Sequence, residues 1–386
     1  MIHRISLKNY YSFKDRVDID FVVDKNAPDI DSFYTDKYEN RISKLMSVVG
    51  ANASGKTNLL RSIAFLKWFI TNSFSELGPE DHINKNFNHF LFCSERVPSE
   101  FELVFSVDKD IYKYELKLNS QLVFKEALYS KNPITKHFNI VFLRECSDDR
   151  VCKNNFQRLG VTSDFEKILR TNSSVISTAN QIQNELAVKM VGYFSKIQSS
   201  FDDFERWGKN SPIFSASQFF YENPHMKKKA EKILRGFDLG INALSFQELV
   251  ANDGQKFFLP LAHHTNNDGG DEIKLRLYEE SGGTQNLFVL LRDILVALET
   301  GQIVVFDELD NNLHPLMVPE IVNLFRSEND NPKNAQILFS THNPQILNEL
   351  HKAQIVIVEK DERNISKAWK LSDIQGVRTD DNYVTK

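Results

Sequence analysis

Apolar and polar residues alternate at the start of the chain. Ile5 and Leu7 are answered by Val17, Ile19 and Phe21, with the turn-like Asn9-Tyr10-Tyr11-Ser12-Phe13 between them. A period of two predicts an antiparallel hairpin with one covered face. The continuous apolar run Leu45 to Val49 reads as a buried strand ending in a glycine-bearing loop. From about Thr57 to Phe69 the spacing becomes helical. Alternation returns at Phe101 to Val107, Tyr112 to Leu118 and Val123 to Ala127, the pattern of a β-meander.

From about Ser130 to Leu244 charged and polar helical stretches dominate, such as Asn180 to Phe201 and Met226 to Phe237. In the last third, strands at Ile303 to Phe306, Ile337 to Phe339 and Ile355 to Val358 alternate with helices at Thr284 to Glu299, Pro315 to Arg326 and Pro344 to Leu350. Continuous apolar strands between amphipathic helices predict a parallel sheet covered on both faces. The strand–loop–helix segments stop at Thr57 and resume at Ser281. The expectation is one α/β domain built from residues 1–130 and 245–386. Residues 131–244 interrupt it as a mostly helical insertion, suited to a dimer or partner interface.

Composition narrows the class. A chain of 386 residues suits one large domain plus an insertion, and 41% hydrophobic with 26% charged residues describes a folded globular protein. No apolar run approaches the ~20 residues that span a bilayer, and Met1 to Ser6 lacks the apolar stretch of a secretory signal. A cytoplasmic protein without a membrane partner is expected. Cys93, Cys146 and Cys152 are odd in number and not spaced as metal ligands, so reduced thiols are expected. A net charge of −5 provides no general attraction for nucleic acid, although phosphate contacts need only a local basic face.

The sharpest chemistry lies in Gly50-Ala51-Asn52-Ala53-Ser54-Gly55-Lys56-Thr57, a G-x-x-x-x-G-K-[ST] run directly after a strand and opening a helix. Its glycines let the backbone curl so that N–H groups point at phosphate oxygens. Lys56 can reach the β- and γ-phosphates, and Thr57 can offer a hydroxyl to Mg²⁺. Ile303 to Phe306 delivers Asp307, placed to hold Mg²⁺ through water, and Glu308, placed to orient and deprotonate an attacking water. ATP and Mg²⁺ are therefore the expected ligands. Ser281-Gly282-Gly283 opens a helix 26 residues before Asp307, and a small-residue turn there can present N–H groups and a hydroxyl to a γ-phosphate. His342 follows the next strand, and Asp310 follows Glu308 by two. His263 and His264 lack companions for a metal site and are expected in a loop near a dimer surface, beside a turn at 266–270.

The order of these motifs, with Ser54-Gly55-Lys56-Thr57-Asn58 and Asp307-Glu308-Leu309-Asp310 before Leu313-His314-Pro315, resembles the OLD, RecF and SMC branch of ABC-type ATPases. More narrowly it resembles the AAA_15/AAA_21 proteins of bacterial anti-phage systems such as PARIS. The resemblance covers residues 1 to about 130 and about 245 to 386. It implies an ABC-type ATPase head and a head-to-tail homodimer or higher homo-oligomer. Residues 50, 52–58 and Asp310, with the partner copy's Ser281, Gly282 and Gly283, would bind the nucleotide. His342 would be a switch residue at the γ-phosphate, beside Lys56 and Glu308 in catalysis. It further implies a sensor that controls a separate toxic effector, a Toprim- or HNH-type nuclease, with a phage protein as candidate trigger. Two departures stand out. Glu280 replaces the leucine usual before the signature serine, and no glutamine is assignable to the Q-loop. A RecF-like ATPase that clamps DNA is the alternative, for which Met226-Lys227-Lys228-Lys229 is the best local feature, against its reading as a solvated helix face. A transporter subunit fits the insertion and the N-terminal hairpin poorly.

Overall fold

The computed structural model describes residues 1–94, 97–149, 151–202, 212–237, 239–250, 254, 256–265, 272–311 and 313–377; the turn expected at 266–270 lies outside them. Strand β1 (Ile2–Lys8) pairs antiparallel with β2 (Val17–Asp20), placing Ile5 opposite Ile19. Strands β3 (Val22–Val23), β4 (Phe33–Thr35) and β5 (Arg41–Ser43) form a small separate sheet, and β6 (Leu45–Val49) leads into α1 (Lys56–Glu76). Next come β7 (Ser99–Val107), β8 (Asp110–Leu118), β9 (Val123–Lys131), β10 (Phe138–Cys146) and β11 (Cys152–Asn155). With the first hairpin they complete a seven-stranded sheet in the order β11-β10-β9-β8-β7-β1-β2.

The middle of the chain differs from its sequence-based outline. The meander runs on to residue 155, well past the change of character near 130. Its last strands keep one face open to solvent, so their many polar residues hide the alternation. Cys146 and Cys152 face each other across β10 and β11 and are joined as a disulfide, which corrects their reading as free thiols. The single helix expected over 180–201 is instead α3 (Val175–Gln181), α4 (Glu185–Phe194) and the short strand β12 (Gln198–Ser199), after the one-turn α2 (Phe165–Ile168). Gln183 at φ +55° turns the chain, and Asn184 restarts it by capping Ala187 N–H.

Helices α5 (Pro212–Glu222) and α6 (Pro224–Gly236) follow, then an antiparallel sheet of β13 (Ile241–Val250), β14 (Lys256–Thr265) and β15 (Glu272–Arg276). His263 and His264 therefore sit on a strand rather than in a loop. The chain closes with α7 (Gly282–Thr300), β16 (Ile303–Phe306), α8 (Met317–Arg326), β17 (Gln336–Ser340), β18 (Ile355–Lys360) and β19 (Ser366–Lys370). The expected helix at 344–350 is a 3₁₀ stretch over Pro344–Glu349.

The second large sheet has the order β12-β16-β17-β6-β18-β19 and is parallel except for the last pair. Its central strands β16, β17 and β6 are buried on both faces, and their period of two divides them between two cores. Ile303, Val305 and Leu338 pack towards α1, α3, α4 and the meander, whereas Val304, Phe306, Ile337 and Phe339 pack towards α5, α6, α7 and α8. Helix α1 lies between the sheets and buries Leu59, Leu60, Ile63, Phe65, Leu66, Phe69 and Ile70. Each such side chain is worth about 1.5–3 kcal/mol when buried, which holds the start of α1 firmly in place. The result is an α/β fold with an antiparallel meander, a mostly parallel core sheet, and helices α2 to α6 between the meander and the last third of the chain.

Candidate functional site

Strands β16, β17 and β6 are adjacent and parallel, with Phe306 opposite Phe339 and Ser340 opposite Val48. Gly50, Asp307 and Thr341 therefore leave the sheet at the same edge, the carboxyl end, where such folds bind their ligands.

The loop from β6 can take its shape only with glycine at two places. Gly50 sits at φ +155°, and a Cβ on it would lie 2.0 Å from the Val358 carbonyl oxygen. Gly55 sits at φ +120°, where a Cβ would meet Ser366 Oγ at 2.6 Å and Ser12 Oγ at 2.9 Å. Those two serines tether the loop from opposite sides. Ser366 Oγ donates to the Ser54 carbonyl, and Asn58 Nδ2 donates to Ser12 Oγ at 2.9 Å. Ala53 adopts φ +60° between them.

This loop leaves polar groups unused. Helix α1 has no acidic residue in its first turn and, among the described residues, no capping side chain, so its leading N–H groups stay available. Ser54 Oγ is buried and has no hydrogen-bond partner among the described residues. Lys56 is buried and donates to the Gly50 and Ala51 carbonyls at 2.9 and 3.1 Å. Burial lowers its pKa, while Asp307, Glu308 and Asp310 act to raise it. Free N–H groups, an orphaned hydroxyl and a masked ammonium are the chemistry that accepts a polyphosphate.

Ser340, at the end of β17, organises the facing carboxylates. Its Oγ donates to Asp307 Oδ1 at 2.6 Å and accepts the Glu308 N–H at 2.7 Å. Ser200 Oγ accepts the Asp307 N–H at 3.0 Å. Glu308 occupies a left-handed conformation, φ +49°, unusual for a residue with a Cβ and a common mark of functional strain. Its Oε1 stands 3.7 Å from His342 Nε2, with both side chains open to solvent. Asp310 accepts the His342 N–H at 3.0 and 3.2 Å.

Lys56, Asp307, Glu308, Asp310 and His342 thus gather at one edge. Ser281 does not join them: it caps α7 by accepting the Thr284 N–H at 3.2 Å, and among the described residues it bonds nothing in 50–58. Sequence reasoning missed Ser340, although it stands only two residues before His342. It also missed Ser200, whose only signal was a segment read as helix. Among the described residues no group of three His, Cys, Asp or Glu side chains could hold a metal ion. No described helix is long and apolar enough to cross a membrane.

Fold and loop define the class: a nucleotide-binding ATPase of the AAA type. Comparison of the sequence with protein-family models narrows this. The AAA_21 model, described as "AAA domain, putative AbiEii toxin, Type IV TA system", matches residues 45–348, and the chain belongs to that family. No curated protein matches it. Among solved structures it is similar to an SMC head bound to the C-winged helix domain of ScpA, at 14% identity and TM-score 0.47 over 96% of this chain and 97% of that one. It is also similar to the SMC head domain from Thermotoga maritima, at 15% identity and TM-score 0.43 over 96% and 98%. A third is an Smc head with an extended coiled coil bound to the C-terminal domain of ScpA, derived from Pyrococcus furiosus, at 14% identity and TM-score 0.44 over 96% of each chain. At such identity these likenesses carry nothing about what this chain binds.

Proposed function

We propose that two copies of this chain close head to tail on ATP and hydrolyse it, and that this cycle controls a separate toxic effector in anti-phage defence. The observation that carries the mechanism is the division of the candidate residues. Lys56, Asp307, Glu308 and His342 meet at one edge, while the Ser281 turn stands apart and faces solvent. A side chain on Gly282 would meet nothing within 4 Å, so packing within one chain supplies no reason for a glycine there. Close approach of a second molecule supplies one.

In this reading residues 50–58 bind the triphosphate, with Lys56 on its β- and γ-oxygens. Thr57 and Asp307 would hold Mg²⁺, which supplies charge neutralisation at the phosphates. Glu308 takes a proton from the attacking water, and His342, held through its backbone by Asp310, contacts the γ-phosphate. The partner's Ser281-Gly282-Gly283 turn closes the site. Residues 131–244 are proposed to contribute a partner surface, supported by the exposure of Ile134, Val151 and Tyr221.

The test is subunit complementation. Lys56→Ala and Ser281→Arg each abolish hydrolysis alone, but a mixed dimer holds one site with neither change. An equal mixture should recover on the order of a quarter of the wild-type rate, by random pairing. A mixture that stays inactive overturns the shared site. The control of a separate effector rests on the resemblance to anti-phage ATPases, while the family description itself names a putative toxin of a toxin–antitoxin system. Glu308→Gln should retain ATP and keep an effector bound after triggering; normal release would overturn the gating. For the DNA alternative, the basic run is largely committed within the chain. Lys227 pairs with Glu231 and the Leu244 carbonyl, and Lys229 pairs with Glu299 at 2.7 Å. ATP-dependent, salt-sensitive duplex binding would reinstate it.

A further inference from the structure

Glu280 stands one residue before the Ser281 turn. A carboxylate there is unfavourable for a turn that must approach a γ-phosphate, because like charges a few ångströms apart repel strongly when water is excluded. Glu280 has an answer on β14: its Oε1 lies 2.6 Å from His264 Nε2, and both side chains are largely covered.

The other bonds of the turn are local. Glu280 N–H donates to the Leu277 carbonyl at 3.1 Å, and Gln285 Nε2 donates to the Glu280 carbonyl at 2.8 Å. Leu277 is buried in the core at the entrance, and α7 begins at the exit. Between those anchors Glu279 accepts the Arg276 N–H at the end of β15 at 2.9 Å, and the His264 contact ties the turn to the middle strand, β14. The neighbouring His263 faces the other way and braces that sheet, reaching Ser245 Oγ on β13 at 2.7 Å and Glu272 on β15 at 2.8 Å. A braced sheet carrying one charge-assisted contact to a turn is a rigid support for that turn.

We infer that His264 and Glu280 form a positioning pair that sets the Ser281 turn for its partner copy and draws the Glu280 charge away from the incoming phosphate. The inference rests on the proposed use of Ser281 across the dimer. It predicts a split that a merely structural role would not produce. His264→Ala and Glu280→Ala should leave binding of a fluorescent ATP analogue to dilute, monomeric protein unchanged. Each should lower turnover about tenfold and raise the protein concentration at half-maximal activity, in line with loss of one charged hydrogen bond. The double variant should be no worse than either single one, because one contact is being removed. His264→Gln, which can still donate to Glu280, should restore part of the activity.

Ser281→Arg is the control that separates the two ideas. If Ser281→Arg leaves hydrolysis intact, the shared site itself is wrong. If Ser281→Arg abolishes hydrolysis while both alanine variants turn over normally, or if the double variant is additive, the positioning pair is overturned. Should the alanine variants misfold, His264→Phe carries the same comparison. It keeps the bulk of the ring and removes the hydrogen bond to Glu280, and an unaltered concentration dependence would overturn the pair.

Discussion

Two helices begin in opposite ways in this molecule. The start of α3 is saturated: Ser174 caps Ile176 N–H at 3.0 Å, and the buried Glu126 carboxylate accepts from Ser174 Oγ, Val175 N–H and Tyr114 Oη at 2.7, 2.8 and 2.9 Å. Arg144, equally buried, lies 3.9 Å from Glu126 and donates to the Ser173 and Arg170 carbonyls at 2.9 Å each. Burial raises the Glu126 pKa and lowers that of Arg144. The start of α1 is the reverse, with no cap, no acid and an orphaned Ser54 hydroxyl. The same physical need, for partners at a helix N-terminus, is met from within at α3 and left for a ligand at α1. The first helix welds the meander to the core. The second has potential stability left unspent, the usual condition of a site.

The largest effect should come from breaking the saturated start. Glu126→Ala leaves Arg144 as an unpaired buried charge and should destabilise the fold by about 3–5 kcal/mol. Urea unfolding would measure it, and nucleotide affinity per folded molecule should not change. A loss under 1 kcal/mol would mean that the network is ornamental. Lys56→Ala should act oppositely, lowering hydrolysis on the order of 10²–10³-fold while the melting temperature stays constant or rises. A clear fall in melting temperature would show that the lysine serves the fold.

Ser340→Ala should register on both scales, since it removes a partner from Asp307 and from the Glu308 N–H together. About 1–2 kcal/mol is expected, read as a roughly tenfold fall in turnover with a modest drop in stability. A pH-dependent effect, absent at neutral pH, sharpens the meander side. His3 is buried with Nε2 unpaired among the described residues, and burial lowers its pKa from 6.5 to about 3. The unfolded chain then takes up a proton first. The stability present above pH 6.5 should be lost as pH falls towards 3, by up to ~1.4 kcal/mol per pH unit. His3→Gln should flatten that slope in unfolding midpoints taken at pH 7 and pH 5; an unchanged slope would assign the loss to other groups.

The sequence determined by itself those features whose causes are local. The alternation of Ile5 and Leu7 with Val17 and Ile19 marks the first hairpin, and the wholly apolar Ile303 to Phe306 marks a strand covered on both faces. The glycine-bearing loop between a strand and a helix marks the candidate phosphate site, because chain geometry around Gly50 and Gly55 restricts what can stand there. Only the tertiary structure decided where polar side chains find partners far along the chain. It set β12 beside β16, so that Ser200 reaches Asp307 across 107 residues, and it brought Glu126 to the head of α3 across 48. It also turned His264 towards Glu280. A periodic pattern records which face of an element is buried. It does not record which other element covers that face, and that choice, made by packing the whole chain at once, decides which polar atoms meet.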